Sequence, residues 1–326
     1  MLKAEYQQRG PVPQDVIEAV EFQLPPLTAG QARVKVLAAP INPSDVLTLT
    51  GEYGMLPPLP AVGGNEGVGR VEELGAGVSQ LKVGQTVLLP VGCGTWTSHL
   101  NAEANKLILL PDADPLQLAM LTVNPPTASL LLSEFVDLQP GEWVIQNAAN
   151  SGVGGYLIQL AKLRGLKTVN VVRRESAVES VKAEGGDLVL VDGPDLPQRV
   201  REATGGAPIR LGIDAVGGRA TDHVAGCVGE GGVLVNYGMM SREPCQLSPT
   251  SFVFRDVTLR GFWLAKWFRQ ASPQQQMELF GELTQLIAGG KLHARVAATY
   301  DLSQIKQAVA AAATGERGGK ILIVPK

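Results

Sequence analysis

Three groups of residues carry the chemistry that this sequence can support. The first lies in the stretch Trp143 to Arg174, WVIQNAANSGVGGYLIQLAKLRGLKTVNVVRR, where Asn150, Ser151, Gly152 and Val153 form a small-residue turn. Between a strand and a helix, such a turn lets the backbone approach a pyrophosphate and aims the first helical N–H groups at it. The second group is Arg173 and Arg174, roughly 20 residues past the turn. An acid there accepts from the ribose 2′-hydroxyl of NAD, whereas guanidinium forks suit a 2′-phosphate, so the pair points to NADPH. The third is Tyr53, on the glycine-flanked loop Gly51 to Pro58. A phenol, with an ordinary pKa of about 10, holds its proton at neutral pH and can serve as an acid. Each group also has a plainer reading: a bare structural turn, a solvated strand end, a rim aromatic.

The elements that must position these residues follow from periodicity. Trp143 to Ala148 reads as a buried strand, Leu157, Leu160 and Ala161 recur at helical spacing until Gly165, and Thr168 to Val172 is the next strand. Ser176 and Glu179 form the pattern of a capping box for a helix ending at Gly185-Gly186. Strand 188–191, helix 196–203, strand 209–216, helix 221–228, strand 232–237 and strand 257–262 follow. Strands alternating with single helices predict a parallel, doubly wound α/β sheet with its ligand at the strand C-terminal ends. The loops Tyr237-Gly238-Met239-Met240 and Phe262-Trp263-Leu264 fall at those ends.

Outside that region the texture differs. Residues 3–110 are all-β in flavour, with Gly or Pro at short intervals, as in a small barrel. Asn42-Pro43-Ser44-Asp45 reads as a turn entering a short helix, and helices are predicted over 116–122 and 128–133 with Asn124-Pro125-Pro126 between them. The tail, with helices near 273–287 and 305–312 and strands at 295–298 and 320–324, breaks the strict alternation. It is expected to return to the first domain. The chain therefore divides into a catalytic domain at 1–115, completed by 267–326, and a Rossmann NADPH-binding domain at 116–266.

Composition narrows the function. With 326 residues, 45% hydrophobic, the chain can bury two cores, and a net charge of −3 with intermixed signs leaves no basic stripe for nucleic acid. Cys93, Cys227 and Cys245 are far apart, which suggests neither a zinc knot nor a disulfide framework. The start MLKAEYQQRG has no apolar signal core, and no run approaches the roughly 18 apolar residues of a membrane span. A cytoplasmic location without a membrane partner is the expectation.

A β-domain followed by a nucleotide-binding domain is also the layout of zinc alcohol dehydrogenases. Here Gly64-Asn65-Glu66-Gly67 puts an amide where their histidine sits, and His99, His223 and His293 are isolated. A neutral amide is a poor zinc ligand, so no metal is expected. Hydride transfer then calls for an acceptor that is electrophilic by itself, such as a double bond conjugated to a carbonyl, with an acid to protonate the α-carbon.

The segments INPSDVLTLTGEYGMLPPLPAVGGNEGVGRV, VNPPTA, IQNAANSGVG, NVVRRES, NYGMM, LRGFWL and GGKILI together make the chain resemble the mitochondrial-type trans-2-enoyl thioester reductases. These form a zinc-free branch of the medium-chain dehydrogenase/reductase superfamily, with a GroES-like β-barrel domain and a Rossmann domain. The resemblance implies NADPH-dependent reduction of the 2,3 double bond of an enoyl-CoA or enoyl carrier-protein substrate in an acyl pathway. It implies that Tyr53 is the proton donor or enolate stabiliser and Asn150 to Val153 the pyrophosphate turn. It further implies that Arg173 and Arg174 begin the 2′-phosphate segment, and that Tyr237 to Met240 and Phe262, Trp263, Leu264 and Ala265 flank the nicotinamide, with Trp263 also walling an acyl pocket. Asn124 is implied as a cofactor contact, otherwise a helix cap; Lys320 likewise, otherwise a surface lysine. Arg174-Glu175 stands where the family has Asp-Arg, and the loop around Cys93 to Trp96 is shorter. A homodimer is implied too. The alternatives are an NADPH quinone or enone oxidoreductase and an NADPH-binding regulatory protein without turnover.

Overall fold

The structure, a computed structural model, describes residues 1–315 and 318–326. Its contacts divide the chain into two compact units, Met1–Val123 with Phe280–Lys326, and Asn124–Leu279.

The first stretch of unit one contains β1 (Leu2–Tyr6), α1 (Pro13–Val16), β2 (Ile17–Glu21), β3 (Gln31–Pro40), α2 (Pro43–Thr50), β4 (Ala61–Val62), β5 (Val68–Leu74), β6 (Thr86–Leu88), β7 (His99–Glu103), β8 (Ile108–Leu109) and α3 (Pro115–Leu118). The alternation of QARVKVLAAP buries Ala32, Val34, Val36 and Ala38 on one face of β3, as a period of two requires. At ten residues β3 outruns its partners, so it pairs with β5 over one stretch and with β7 along its other edge. The sequence predicts a small barrel. It takes an open form: among the described residues the strands lie in a seven-stranded sheet, β15-β16-β3-β5-β6-β8 with β7 on β3, and a three-stranded sheet, β2-β1-β4.

Unit two holds α4 (Asn124–Leu131), β9 (Trp143–Gln146), α5 (Gly152–Leu163), β10 (Lys167–Val172), α6 (Val178–Ala183), β11 (Leu188–Val191), α7 (Leu196–Thr204), β12 (Ile209–Asp214), α8 (Gly218–Cys227), β13 (Val233–Asn236), α9 (Pro249–Phe252), β14 (Thr258–Gly261) and α10 (Leu264–Gln270). Helix α11 (Pro273–Ala288) carries the chain out of this unit. The tail then adds β15 (Val296–Tyr300), α12 (Ile305–Ala313) and β16 (Lys320–Ile323), the two strands joining the sheet of unit one through β3. The six parallel strands run β11-β10-β9-β12-β13-β14. Numbered within the unit, that order is 3-2-1-4-5-6, the doubly wound arrangement whose strand order reverses beside the first strand.

Two local expectations change. Asn124, Pro125 and Pro126 open α4 rather than separate two helices, because a proline in the first turn gives up only an N–H that has no helical acceptor. The Ser176–Glu179 capping box does not form: a short 3₁₀ turn at Glu175–Ala177 leads into α6, whose cap is Ala177.

Gly154 sets how closely α5 lies on the end of β9. A Cβ there would stand 2.5 Å from the Ala149 carbonyl oxygen and 2.8 Å from that of Ala148, whereas one at Gly155 meets nothing within 4 Å. Thermal unfolding is therefore expected to place Gly154→Val several degrees below the parent, an overpacking cost of about 1–3 kcal/mol. Gly155→Ala should match or exceed it, since Ala favours a helix interior by about 1 kcal/mol over Gly. Equal melting temperatures for the two variants would contradict this packing.

Candidate active site

In unit two the candidate residues gather at the C-terminal ends of the parallel strands. Ser151 is the N-cap of α5, and its hydroxyl accepts from the Gly154 N–H at 3.1 Å. The N–H groups of Gly152 and Val153, at the first helical positions, have no acceptor inside the helix, so they are disposed for an anion. Asn150 is exposed at the crest of the turn. Arg173 and Arg174, both exposed, follow directly on β10, the strand beside β9.

A feature that sequence reading missed holds these ends together. Asp214, fully buried at the end of β12, accepts five hydrogen bonds. Asn147 Nδ2 (2.6 Å) and the N–H groups of Val216 (2.9 Å) and Gly217 (3.1 Å) reach Oδ1, and Thr221 Oγ1 (2.7 Å) and Asn236 Nδ2 (2.9 Å) reach Oδ2. Asn147 Oδ1 in turn accepts from the Ala215 N–H, and Asn236 Nδ2 also donates to the Gly238 carbonyl. One carboxylate thus ties the ends of β9, β12 and β13 to the start of α8. The signal was present: Asn147, Asp214 and Asn236 each close an apolar strand with a polar residue.

The loops this network supports are the predicted ones. The Tyr237 N–H donates to the Asp214 carbonyl and the Met240 N–H to that of Ala215. The Tyr237 hydroxyl is enclosed beside Ser151, and burial raises its pKa. Met239 and Met240 are exposed. Phe262 donates its N–H to the Asn236 carbonyl and meets Phe135 edge to face, with centroids 5.9 Å apart. Trp263 caps α10, with Leu264 and Ala265 in its first turn, and lies under the Arg269 guanidinium at 4.9 Å. Asn124 is buried at the start of α4. A buried hydroxyl facing the turn, a helix start with open N–H groups and two exposed guanidiniums on the neighbouring strand end fit a phosphorylated dinucleotide.

Tyr53 and Lys320 belong to unit one. Tyr53 is half-buried just past α2, and its N–H and that of Glu52 both donate to the Leu47 carbonyl, closing the helix at Gly51. The buried Lys320 ammonium donates to Asn42 Oδ1 at the other end of α2, so the two are separated by that helix of about 12 Å, at 1.5 Å per residue. Around Lys320 stand two buried carboxyls. Glu66 accepts from Asn42 Nδ2 (2.7 Å), Thr122 N–H (3.0 Å) and Val123 N–H (2.9 Å). Asp45 accepts from the Asn42 N–H and from Asn65 Nδ2, both at 2.7 Å. Two carboxyls facing one ammonium leave a negative charge without compensation if both ionise. Burial pushes Asp45 up to about 6 and Glu66 up to about 7, with Lys320 opposing in both cases.

This donor set does not fit zinc. Asn65 turns its amide nitrogen to Asp45, and both Glu66 oxygens are occupied by N–H groups. Among the described residues no group of three His, Cys, Asp or Glu is placed to share a metal ion.

Comparison with known proteins agrees with this anatomy. Residues 28–112 match the alcohol dehydrogenase GroES-like domain, and residues 152–282 match the zinc-binding dehydrogenase family. The mitochondrial enoyl-[acyl-carrier-protein] reductase of Rattus norvegicus is 40% identical over 306 residues, 92% of this chain and 82% of that protein. The Arabidopsis thaliana protein of the same name is 41% identical, over 79% of this chain and 71% of its own. Among solved structures, the Etr1p/NADP/crotonyl-CoA complex superposes with a TM-score of 0.89 at 27% identity over 99% of both chains. A putative NADPH:quinone reductase from Bacillus thuringiensis gives 0.90 at 29%, covering 100% of this chain and 99% of its own. A GroES-like unit combined with a Rossmann unit of order 3-2-1-4-5-6 defines a medium-chain dehydrogenase/reductase. Within that superfamily, the chain belongs to the mitochondrial-type enoyl thioester reductases.

The cytoplasmic expectation is corrected by the same finding, since the relatives are named as mitochondrial and point to that compartment. The tests behind the expectation did not discriminate: a mitochondrial leader is amphipathic and Arg-rich rather than apolar. Among the described residues no helix is long and apolar enough to cross a membrane.

The buried carboxyls give a pH signature. An acid whose pKa is raised on folding binds its proton more tightly in the folded state. Its contribution to stability is therefore full below the unfolded pKa and is lost as pH rises through the folded one. For Glu66 that window runs from 4.5 to about 7. Urea unfolding at pH 5 and pH 7 is expected to show a smaller loss of stability over that interval for Glu66→Gln than for the parent chain; parallel losses would contradict the assignment.

Proposed function

We propose that the protein reduces the 2,3 double bond of trans-2-enoyl thioesters, linked to coenzyme A or acyl carrier protein, with NADPH. The observation that carries the reading is the 40% identity to an enoyl-[acyl-carrier-protein] reductase over 92% of the chain, joined to an NADP-type strand end in Arg173 and Arg174. When bound, NADPH would supply the hydride for the β-carbon of the substrate. Asn150 to Val153 bind its pyrophosphate through backbone N–H groups, and Arg173 and Arg174 bind the 2′-phosphate. Tyr237 to Met240 and Phe262 to Ala265, with Asn124 and Lys320, hold the nicotinamide end. Trp263 lines the acyl pocket.

Tyr53 holds the proton for the α-carbon, or donates a hydrogen bond to the thioester carbonyl as charge builds there. Its anchoring on the end of α2 supports this role, because a general acid has to be held within hydrogen-bond reach of its target. The homodimer belongs to the same reading. Strand β14 is an edge of the six-stranded sheet and wholly exposed, and Phe252, Val253 and Phe254 beside it are exposed as well; such an edge invites a second strand.

A second reading, quinone reduction, is favoured by the likeness to the putative NADPH:quinone reductase. Assays pairing crotonyl-CoA with a small quinone separate the two; turnover of the quinone alone would overturn the enoyl thioester reading. On crotonyl-CoA, Tyr53→Phe is expected to lower kcat by about 10²–10⁴-fold with NADPH affinity retained, and an unchanged kcat would remove Tyr53 from the chemistry. Replacing Arg173 and Arg174 together by Ala should raise the Kd for NADPH by at least about tenfold while leaving NADH nearly unchanged, because only the 2′-phosphate engages guanidinium forks. Equal losses for both nucleotides, measured by fluorescence titration, would contradict the cofactor assignment.

A further inference from the structure

The loop that carries Tyr53 is held both by the helix that leads into it and from outside that helix. Residues 54–60 are all exposed, so burial does little to fix them. One anchor is the Leu47 carbonyl, which takes the N–H groups of Glu52 and Tyr53. The other is Arg9, on the segment that follows β1. Its guanidinium donates through Nη2 to the Pro57 carbonyl, on the far limb of the loop, and its charge acts on the Tyr6 phenol in β1, which is 2% exposed.

The stem of Arg9 lies across the start of the loop. A Cβ at Gly51, where φ is 84°, would sit 3.3 Å from Arg9 Cδ. The next residue is fastened to the same helix end, with the Gly10 N–H on the Leu49 carbonyl at 3.2 Å. Arg9 therefore touches the start of the loop with its methylenes and the far limb with its fork, and Tyr53 lies between the two contacts. Its Nε, enclosed without an acceptor, leaves Arg9 bound to this place through the fork and the stem.

We propose that Arg9 is a positioning residue for Tyr53: it clamps the loop at Pro57 so that the phenol is already aimed before substrate arrives. The proposal rests on the enoyl reductase reading for its kinetic consequence and on geometry alone for the clamp. A displacement of about 1 Å at a reacting group can cost about 10²-fold in rate. A planar guanidinium holds its N–H groups in fixed directions on the Pro57 carbonyl, which a flexible ammonium does less well.

The test uses the whole protein with NADPH and crotonyl-CoA. Arg9→Ala is expected to lower kcat by about 10–100-fold, with the Kd for NADPH unchanged. Its solvent deuterium isotope effect on kcat should exceed that of the parent, because proton delivery becomes slower while the hydride donor is untouched. Arg9→Lys should recover part of the loss, which also keeps the test open if the alanine variant folds poorly. Hydrogen exchange of residues 52–58 should quicken in Arg9→Ala, and this readout needs no turnover. If the parent does not reduce crotonyl-CoA, the functional reading fails, and faster exchange still supports the clamp. Unchanged exchange, or a kcat within twofold of the parent in an enzyme active on crotonyl-CoA, overturns the inference.

Discussion

A carboxyl group withdrawn from water has to be met by donors or by a cation, and this protein buries such groups in both units. Asp214 is enclosed by five donors drawn from three strand ends and a helix. Every donor gives up a bond to water to reach it, so each is fixed in place, and removing the carboxylate would orphan all five at a cost of about 1–3 kcal/mol apiece. Asn147, which leads into the glycine turn, and the Tyr237 loop owe their positions to that obligation. Neither Asn147 nor Asn236 needs to touch a ligand to matter.

In unit one the same constraint takes an ionic form. Glu66 and Asp45 face a single buried ammonium, Lys320, through the amide of Asn42. Desolvation and the mismatch of two acids to one base keep the acids protonated to higher pH than in water. The network joins the last strand to the start of α2 and to residues 122–123, while Tyr53 stands at the opposite end of that helix. The helix start is thus fixed by buried contacts, and the exposed loop at its other end is held by Leu47 and Arg9.

The division of labour follows from the chemistry. In the proposed function, cofactor binding falls to backbone N–H groups and exposed guanidiniums, which suit a highly charged ligand. The proposed thioester chemistry asks for shape and a single proton, and Tyr53 sits on an exposed turn tied to the Leu47 carbonyl and, through Pro57, to Arg9. The donor set at Asn65 and Glu66 serves this internal network rather than a metal.

Much of this was legible in the residues themselves. The apolar runs of strands β9 to β13, the period of α5 and the glycine turn determined a parallel doubly wound sheet, because strand and helix periodicities are local properties. The arginine pair and the Tyr53 loop stand out in the sequence for the same reason, since residue type and spacing are local, and they carry the proposed chemistry. The failures were local contests settled by surroundings. Asn124-Pro125-Pro126 became a helix start, and Ser176 lost its cap to a 3₁₀ turn. Only the tertiary structure decided that Asp214 gathers residues 67 positions away, that Lys320 is buried against α2, and that Arg9 reaches Pro57. Each of those contacts depends on which distant groups share a volume closed to water, and no periodicity along the chain records that.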